Sequence, residues 1–230
     1  MRTFPIPRIV ISKCLGFEKC RYDGSVINDP IVPQLQGHFE FITVCPEKEI
    51  GLGVPRDPVR LVSENDEKRL FQPASGKDVT YKMKGFIDKF LGELDEVDGF
   101  VLKHRSPSCG LSSVKIYKGF EEKVTHYRGQ GIFVEAITNS FNMYPVEDEG
   151  RLRNFSIREN FLIRVYTIAS FRKFKKEPSI KNLVDFHSHN KFLFMAYNQE
   201  TMRELGNITA NHEKKHINDV IKNYEKVMLE

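Results

Sequence analysis

The chain has 230 residues, 40% of them hydrophobic and 29% charged, and a formal net charge of +4. These are ordinary values for a soluble globular protein, with material for one large domain or two modest ones. No apolar run approaches the roughly 20 residues that span a bilayer, and the opening MRTFPIPRIVIS lacks the features of a secretory signal, so a cytoplasmic location is expected.

In chain order, Arg8–Ser12 reads as a buried strand that runs into the polar segment SKCLGFEKCRYDG. Val26–His38 is compatible with a short helix interrupted by Pro30 and Pro33, and the strand Phe39–Val44 ends at Cys45-Pro46. A short strand is expected over Val59–Val62. Residues Asp78–Val97 place Val79, Met83, Phe86, Ile87, Phe90, Leu91 and Leu94 at helical spacing. Strands Gly99–Lys103 and Val114–Tyr117 follow, then a helix over Gly131–Phe141. This strand and helix alternation predicts an α/β domain, with a mainly parallel sheet covered by helices on both faces.

The acidic Glu147-Asp-Glu-Gly150 is expected to be the hinge between a module at 1–150 and an all-α module at 151–230. In the second module, Ser156 with Glu159 resembles a capping box opening a helix to about Phe174. Ser179 is a predicted N-cap for a helix through Tyr197. One or two turns over Gln199–Leu205 should end at Gly206, before a final polar helix over Ala210–Met228.

Chemistry gathers at cysteines. Cys14, Cys45 and Cys109 each head a turn-forming segment just after a predicted strand. Loops that leave the carboxyl ends of parallel strands converge on one edge of an open sheet, where ligands bind. Three thiolates delivered there suit a metal centre with one open position, and soft sulfur ligands select zinc or an iron–sulfur cluster. The spacing lacks the paired cysteines of a structural zinc ribbon. The alternative is four inert buried thiols, with Cys20 as the fourth. In a reducing compartment a disulfide framework is not expected.

Glu47, two residues after Cys45, is a candidate general acid or base; the alternative is a surface carboxylate. Ser106 and Ser108 flank Pro107 before Cys109, and their hydroxyls are candidates to orient substrate or water. Arg21, Asp23 and Arg56 are candidate substrate contacts, or equally members of structural ion pairs.

The segments Cys14-Leu-Gly-Phe-Glu-Lys-Cys-Arg-Tyr-Asp-Gly24, Cys45-Pro-Glu47…Gly51-Leu-Gly-Val-Pro-Arg56 and Lys103…Ser106-Pro-Ser-Cys-Gly110 together resemble the thiouracil desulfidase (TudS) family, over roughly residues 6–145. The resemblance implies a Rossmann-like fold and a 4Fe-4S cluster held by Cys14, Cys45 and Cys109. It leaves a fourth iron free for the sulfur of a thiolated pyrimidine, and gives Glu47 and Ser106 catalytic roles. The implied reaction is a non-redox exchange of sulfur for oxygen, with Glu47 activating water. Cys20 stands where many members carry an apolar residue, and is expected to be a packing residue.

Residues from Ile157 onward resemble a YbgA-like helical domain, shorter here than in that family, through Arg158-Glu-Asn-Phe161, Arg164-Val-Tyr166 and Asp185-Phe-His-Ser-His-Asn-Lys191-Phe-Leu-Phe-Met-Ala196. Fused relatives are associated with removal of sulfur from 4-thiouridine in tRNA, which makes tRNA the implied partner. Residues 151–230 carry 15 Lys and Arg against 9 Asp and Glu, whereas residues 1–150 carry 20 against 22. Arg172, Lys173, Lys175 and Lys176 form a basic cluster suited to phosphates, and His187, His189 and Lys191 are expected near the mouth of the site. A solvated helix face or a stabilising cap is the alternative. For the whole chain, a desulfidase of 4-thiouridine in tRNA is favoured. A salvage enzyme of free thiouracil or thiouridine monophosphate, and a non-catalytic metal- or RNA-binding regulator, stay open.

Overall fold

The computed structural model describes residues 3–65, 67–121, 124–211 and 216–230. The chain forms two compact units: Ile6–Val165, and Met1–Pro5 together with Tyr166–Glu230.

In the first unit, β1 (Arg8–Ser12) carries Ile9, Val10 and Ile11 without solvent exposure, as a strand buried on both faces must. It pairs in parallel with β2 (Glu40–Val44) on one side and β6 (Gly99–Leu102) on the other; β6 pairs in parallel with β9 (Val146–Asp148). The order β2-β1-β6-β9 makes the chain step from β1 to one side, then cross to the other. That reversal is a topological switch point, and it places the carboxyl ends of β2, β1 and β6 side by side.

A second, five-stranded sheet runs β5-β4-β3-β7-β8, with β3 (Arg60–Glu64), β4 (Glu67–Gln72), β5 (Lys77–Asp78), β7 (Val114–Tyr117) and β8 (His126–Gly129). Only β3 with β7 is parallel there. One apolar core takes Val10, Phe100 and Leu102 from the first sheet and Leu61, Leu70 and Ile116 from the second. Helix α3 (Thr80–Glu93) adds Met83 and Ile87, and α4 (Ile132–Ser140) adds Phe133 and Ile137. Phe90 of α3 meets Phe133 of α4 edge-on at 5.7 Å.

The predicted helix over Val26–His38 shrinks to one turn, α1 (Val32–Leu35). Strands β4, β5, β8 and β9 were not foreseen; polar edge strands such as His-Tyr-Arg-Gly of β8 carry no apolar alternation and owe their form to the neighbouring ladder, and β4, inside its sheet, is charged over Glu67–Arg69. The expected hinge at Glu147–Gly150 is overturned. Glu147 and Asp148 belong to β9, and Asp148 and Glu149 are only 1% and 5% exposed. Asp148 takes the His104 ring nitrogen at 3.0 Å, while Glu149 accepts the His104 backbone N–H at 2.8 Å and pairs with Lys103. Two acids bonded this way fasten β9 to β6.

The second unit is helical. Helix α5 (Phe155–Lys175) begins one residue before Ser156, so the Asn154 carboxamide, accepting the Ile157 N–H at 3.2 Å, caps it instead of the predicted Ser156. Its last ten residues lie in this unit with α6 (Ile180–Tyr197), α7 (Gln199–Ala210) and α8 (Ile217–Leu229). Ser179 caps α6 through the Asn182 N–H, as its sequence position predicts. Gly206 lies inside α7, where it faces His187 without crowding, and does not end it. Of the final helix predicted from Ala210, residues 212–215 lie outside the described residues. Phe171, Phe174, Leu183, Phe186, Leu205 and Tyr224 form the core, with the rings of Phe171 and Tyr224 stacked at 5.8 Å. Among the described residues, no helix is long and apolar enough to cross a membrane.

Candidate active site at the carboxyl ends of three parallel strands

Each cysteine loop starts where its strand stops. Cys14 lies two residues past β1, Cys45 directly after β2, and Cys109 in the loop that leaves β6. Lys13 ties the first loop to the second strand by donating its N–H to the Val44 carbonyl at 2.8 Å. Cys45 is the N-cap of a short helix, α2 (Pro46–Glu49), whose first turn holds Pro46 and Glu47. Ser106 shapes the third loop: its hydroxyl accepts the N–H groups of Ser108 and Cys109 at 3.2 and 3.1 Å.

Two glycines let that loop close. A Cβ on Gly131 would fall 2.4 Å from the Ser108 carbonyl oxygen, and one on Gly110 would fall 2.7 Å from the Ser106 carbonyl oxygen. Gly131→Ala is therefore expected to push the Ser106–Cys109 loop out of place at a cost of about 1–3 kcal/mol, read as a lower unfolding midpoint in denaturant.

All four cysteines are free and buried. Cys20 is fully buried and lies against the thiols of Cys14 and Cys45, while its carbonyl accepts from the Cys45 thiol at 3.7 Å. The structure thus draws Cys20 into the thiol group, which the sequence had left as separate packing. The shared hydrogen bond with Cys14 pushes the Cys20 thiol up to about 11. Cys45 is raised by its bond with Cys20 and by burial. Cys109 is pushed up to about 12, chiefly by burial. Thiols held in this state must give up protons to any metal centre that binds them. Among the described residues, no three His, Cys, Asp or Glu side chains are grouped tightly enough to hold a single metal ion.

Glu47 is the best-held acid of the site. Its Oε2 accepts from Arg56 at 2.7 and 3.1 Å, and its Oε1 accepts from the hydroxyls of Ser108 at 2.9 Å and Ser106 at 3.5 Å. The side chains of Arg56 and Glu47 are 4% and 12% exposed. A surface carboxylate is thereby ruled out. Arg56 spends its remaining donor on the carbonyls of Cys20 and Gly53 at 3.0 and 3.1 Å. It is turned inward, as a clamp on Glu47 and on the Cys20 turn, and Ser108 is likewise fully buried against Glu47.

Arg21 and Asp23 face each other at 3.3 Å and share Ser25, so they build their own turn. That turn presents Tyr22, 43% exposed, which was not among the residues expected from the sequence to touch substrate. The sequence carried no signal for it, because the pairing of its two charged neighbours with each other is decided by the folded turn.

In the helical unit, Lys175 pairs with Glu225 at 2.7 Å and lies over the Phe171 ring, whereas Lys173 and Lys176 line a cleft of about 550 Å³ with Asn182, Asp185 and His189. Arg172 is half-buried. His187 belongs to the packing of this unit: its Nδ1 and the Tyr224 hydroxyl share a hydrogen bond at 3.0 Å, and burial lowers its pKa.

YbbK of Bacillus subtilis, an uncharacterised protein, is 34% identical over 118 residues, which cover 48% of this chain and 77% of that protein. A solved structure of a 4Fe-4S-dependent thiouracil desulfidase, TudS, is 26% identical, covers 67% of this chain and 98% of its own, and superimposes with a TM-score of 0.48. A sequence model for a domain of unknown function, DUF1722, matches residues 191–230. The sequence model for 2-thiouracil desulfurase matches residues 9–149, which hold every cysteine loop and the Glu47 clamp, and the chain belongs to that family.

Proposed function

We propose that this protein is a non-redox desulfidase of thiolated pyrimidines, working with a 4Fe-4S cluster held by Cys14, Cys45 and Cys109, and that 4-thiouridine in tRNA is its favoured substrate. The observation that carries the reading is the delivery of three buried thiols from three adjacent strand ends, beside a carboxylate locked by Arg56. The donor set fits a cluster better than a single ion. In a cubane each thiolate ligates its own iron, so three ligands stand a cluster's width apart and need not converge on one point. When bound, such a cluster supplies a soft, open iron that attracts and polarises a thiocarbonyl sulfur.

The chain's own residues handle the protons. With Oε2 engaged by Arg56, Glu47 keeps Oε1 for a water molecule, and the hydroxyls of Ser106 and Ser108 orient that oxygen. Glu47 takes one proton from water as the water oxygen adds to the ring carbon and gives it to the sulfur; the added hydroxyl then loses the second proton, which also goes to the sulfur, as C=O forms and the C–S bond breaks. C=S and water become C=O and hydrogen sulfide, with no net electron transfer.

The basic excess of residues 151–230 supports a polyanion partner. A thiocarbonyl inside folded RNA would have to be flipped or unpaired to reach a buried site. The family description, which specifies 2-thiouracil, favours the free base as a second reading. Anaerobic purification with iron and sulfide analysis, followed by assays on thiouracil, 4-thiouridine monophosphate and thiolated tRNA, tests both. Turnover of the small substrates with thiolated tRNA untouched would leave salvage; a cluster with no turnover of any of them would leave a binding protein. If tRNA is the substrate, Lys173→Glu and Lys176→Glu should each weaken its binding and flatten the slope of log affinity against log salt by about one unit.

A further inference from the structure

The turn that follows Cys20 is fixed to the site at two points. The Cys20 carbonyl accepts from the Arg56 guanidinium at 3.0 Å and from the Cys45 thiol at 3.7 Å, and the Tyr22 carbonyl accepts the Arg56 backbone N–H at 2.8 Å. The turn closes on itself through the Gly24 N–H to the Arg21 carbonyl at 3.0 Å, and through the paired Arg21, Asp23 and Ser25. All its polar side chains are thus occupied within the turn. Tyr22 is different. Its ring remains 43% exposed, although the residue before last is a fully buried cysteine and the backbone around it is held by the residue that clamps Glu47. The Arg21 guanidinium lies over the ring, 5.4 Å from its centroid, which restricts where the ring can swing.

An exposed, amphipathic ring on a turn whose backbone is anchored to the arginine that clamps the buried acid has the makings of a stacking platform. Flat heteroaromatic bases stack on tyrosine whatever their substituents, because every base presents a π face. We infer that Tyr22 stacks on the pyrimidine ring of the substrate and sets its position over the Glu47 carboxylate. Tyr22 is therefore a binding and specificity residue, in contrast to Arg21 and Asp23, whose charges are spent on building the turn. This inference rests on the desulfidase reading.

The test uses iron-loaded full-length protein, with KM and kcat measured on 4-thiouridine monophosphate and uracil binding measured by calorimetry. Tyr22→Leu should raise KM and weaken uracil binding by about tenfold, with iron content and kcat close to wild type. Tyr22→Phe, which keeps the π face, should behave as wild type. Tyr81→Leu is the control, since Tyr81 on α3 is 90% exposed and remote from these bonds in sequence; it should change neither quantity. An active wild-type enzyme whose KM and uracil affinity survive Tyr22→Leu would overturn the inference alone. So would loss of iron in Tyr22→Leu, which would make the ring structural. A wild-type protein that neither turns over a thiopyrimidine nor binds uracil would sink the desulfidase reading, and the inference with it.

Discussion

Serine in place of Cys14, Cys45 or Cys109 is expected to remove iron and turnover together, each substitution alone being sufficient. A hydroxyl is a hard donor that does not replace a soft thiolate on iron, and each cysteine sits on a different loop, so none can stand in for another without moving its strand end. Iron and acid-labile sulfide per chain, measured anaerobically beside the visible absorbance, read the result. Cys20→Ser is the contrast. Cys20 touches Cys14 and Cys45, but it lies on the same loop as Cys14 and its carbonyl already serves Arg56. The variant should keep most of its iron and activity, with a modest loss of stability of about 1–3 kcal/mol from the buried hydroxyl. A Cys20→Ser protein stripped of iron would make Cys20 a ligand and leave no open corner for substrate.

Glu47→Gln is expected to keep the cluster and lose about 10²–10⁴-fold in kcat, the range that a positioned general base contributes. Glutamine preserves the shape and can still meet Ser108 and Arg56, so the fold is little disturbed. Glu47→Ala is a poorer probe, because it leaves the Arg56 guanidinium buried at 4% exposure without its partner. Breaking a buried pair in this way costs about 3–5 kcal/mol, so lost activity would be confounded by lost structure. Single-turnover measurement on iron-matched samples separates the two effects. A Glu47→Gln enzyme that turns over at the wild-type rate would remove the carboxylate from the chemistry. Arg56→Met extends the argument: it frees both Glu47 and the Cys20 turn, so it should reduce kcat and weaken substrate binding together.

Local patterns made much of this legible. Arg8–Ser12 and Gly99–Leu102 announce themselves as buried strands because both faces are covered and every residue can be apolar. Helix α3 was visible because the residues that one face must bury, Met83 and Ile87 with Phe86 and Phe90 beside them, recur at helical spacing. The position of each cysteine just beyond a strand was also readable, and with it the prospect of a shared edge. Edge strands β8 and β9 were not visible, since their conformation comes from a neighbour's hydrogen bonds and not from their own side chains.

What the amino-acid order determined by itself is the set of chemical groups and their strand-end positions: three thiol loops, Glu47 and the two serines. Only the tertiary structure decided how those groups engage one another. The strand order β2-β1-β6 made the thiol loops neighbours. Folding turned Arg56 inward onto Glu47, brought Cys20 between two other thiols, and placed Glu147 and Asp148, from an acidic stretch that resembled a hinge, in strand β9. The physical reason is common to all of these. Burial makes an unpaired charge or hydrogen-bonding group expensive, so partners are chosen by what the fold brings within reach, and separation along the chain carries no record of that choice.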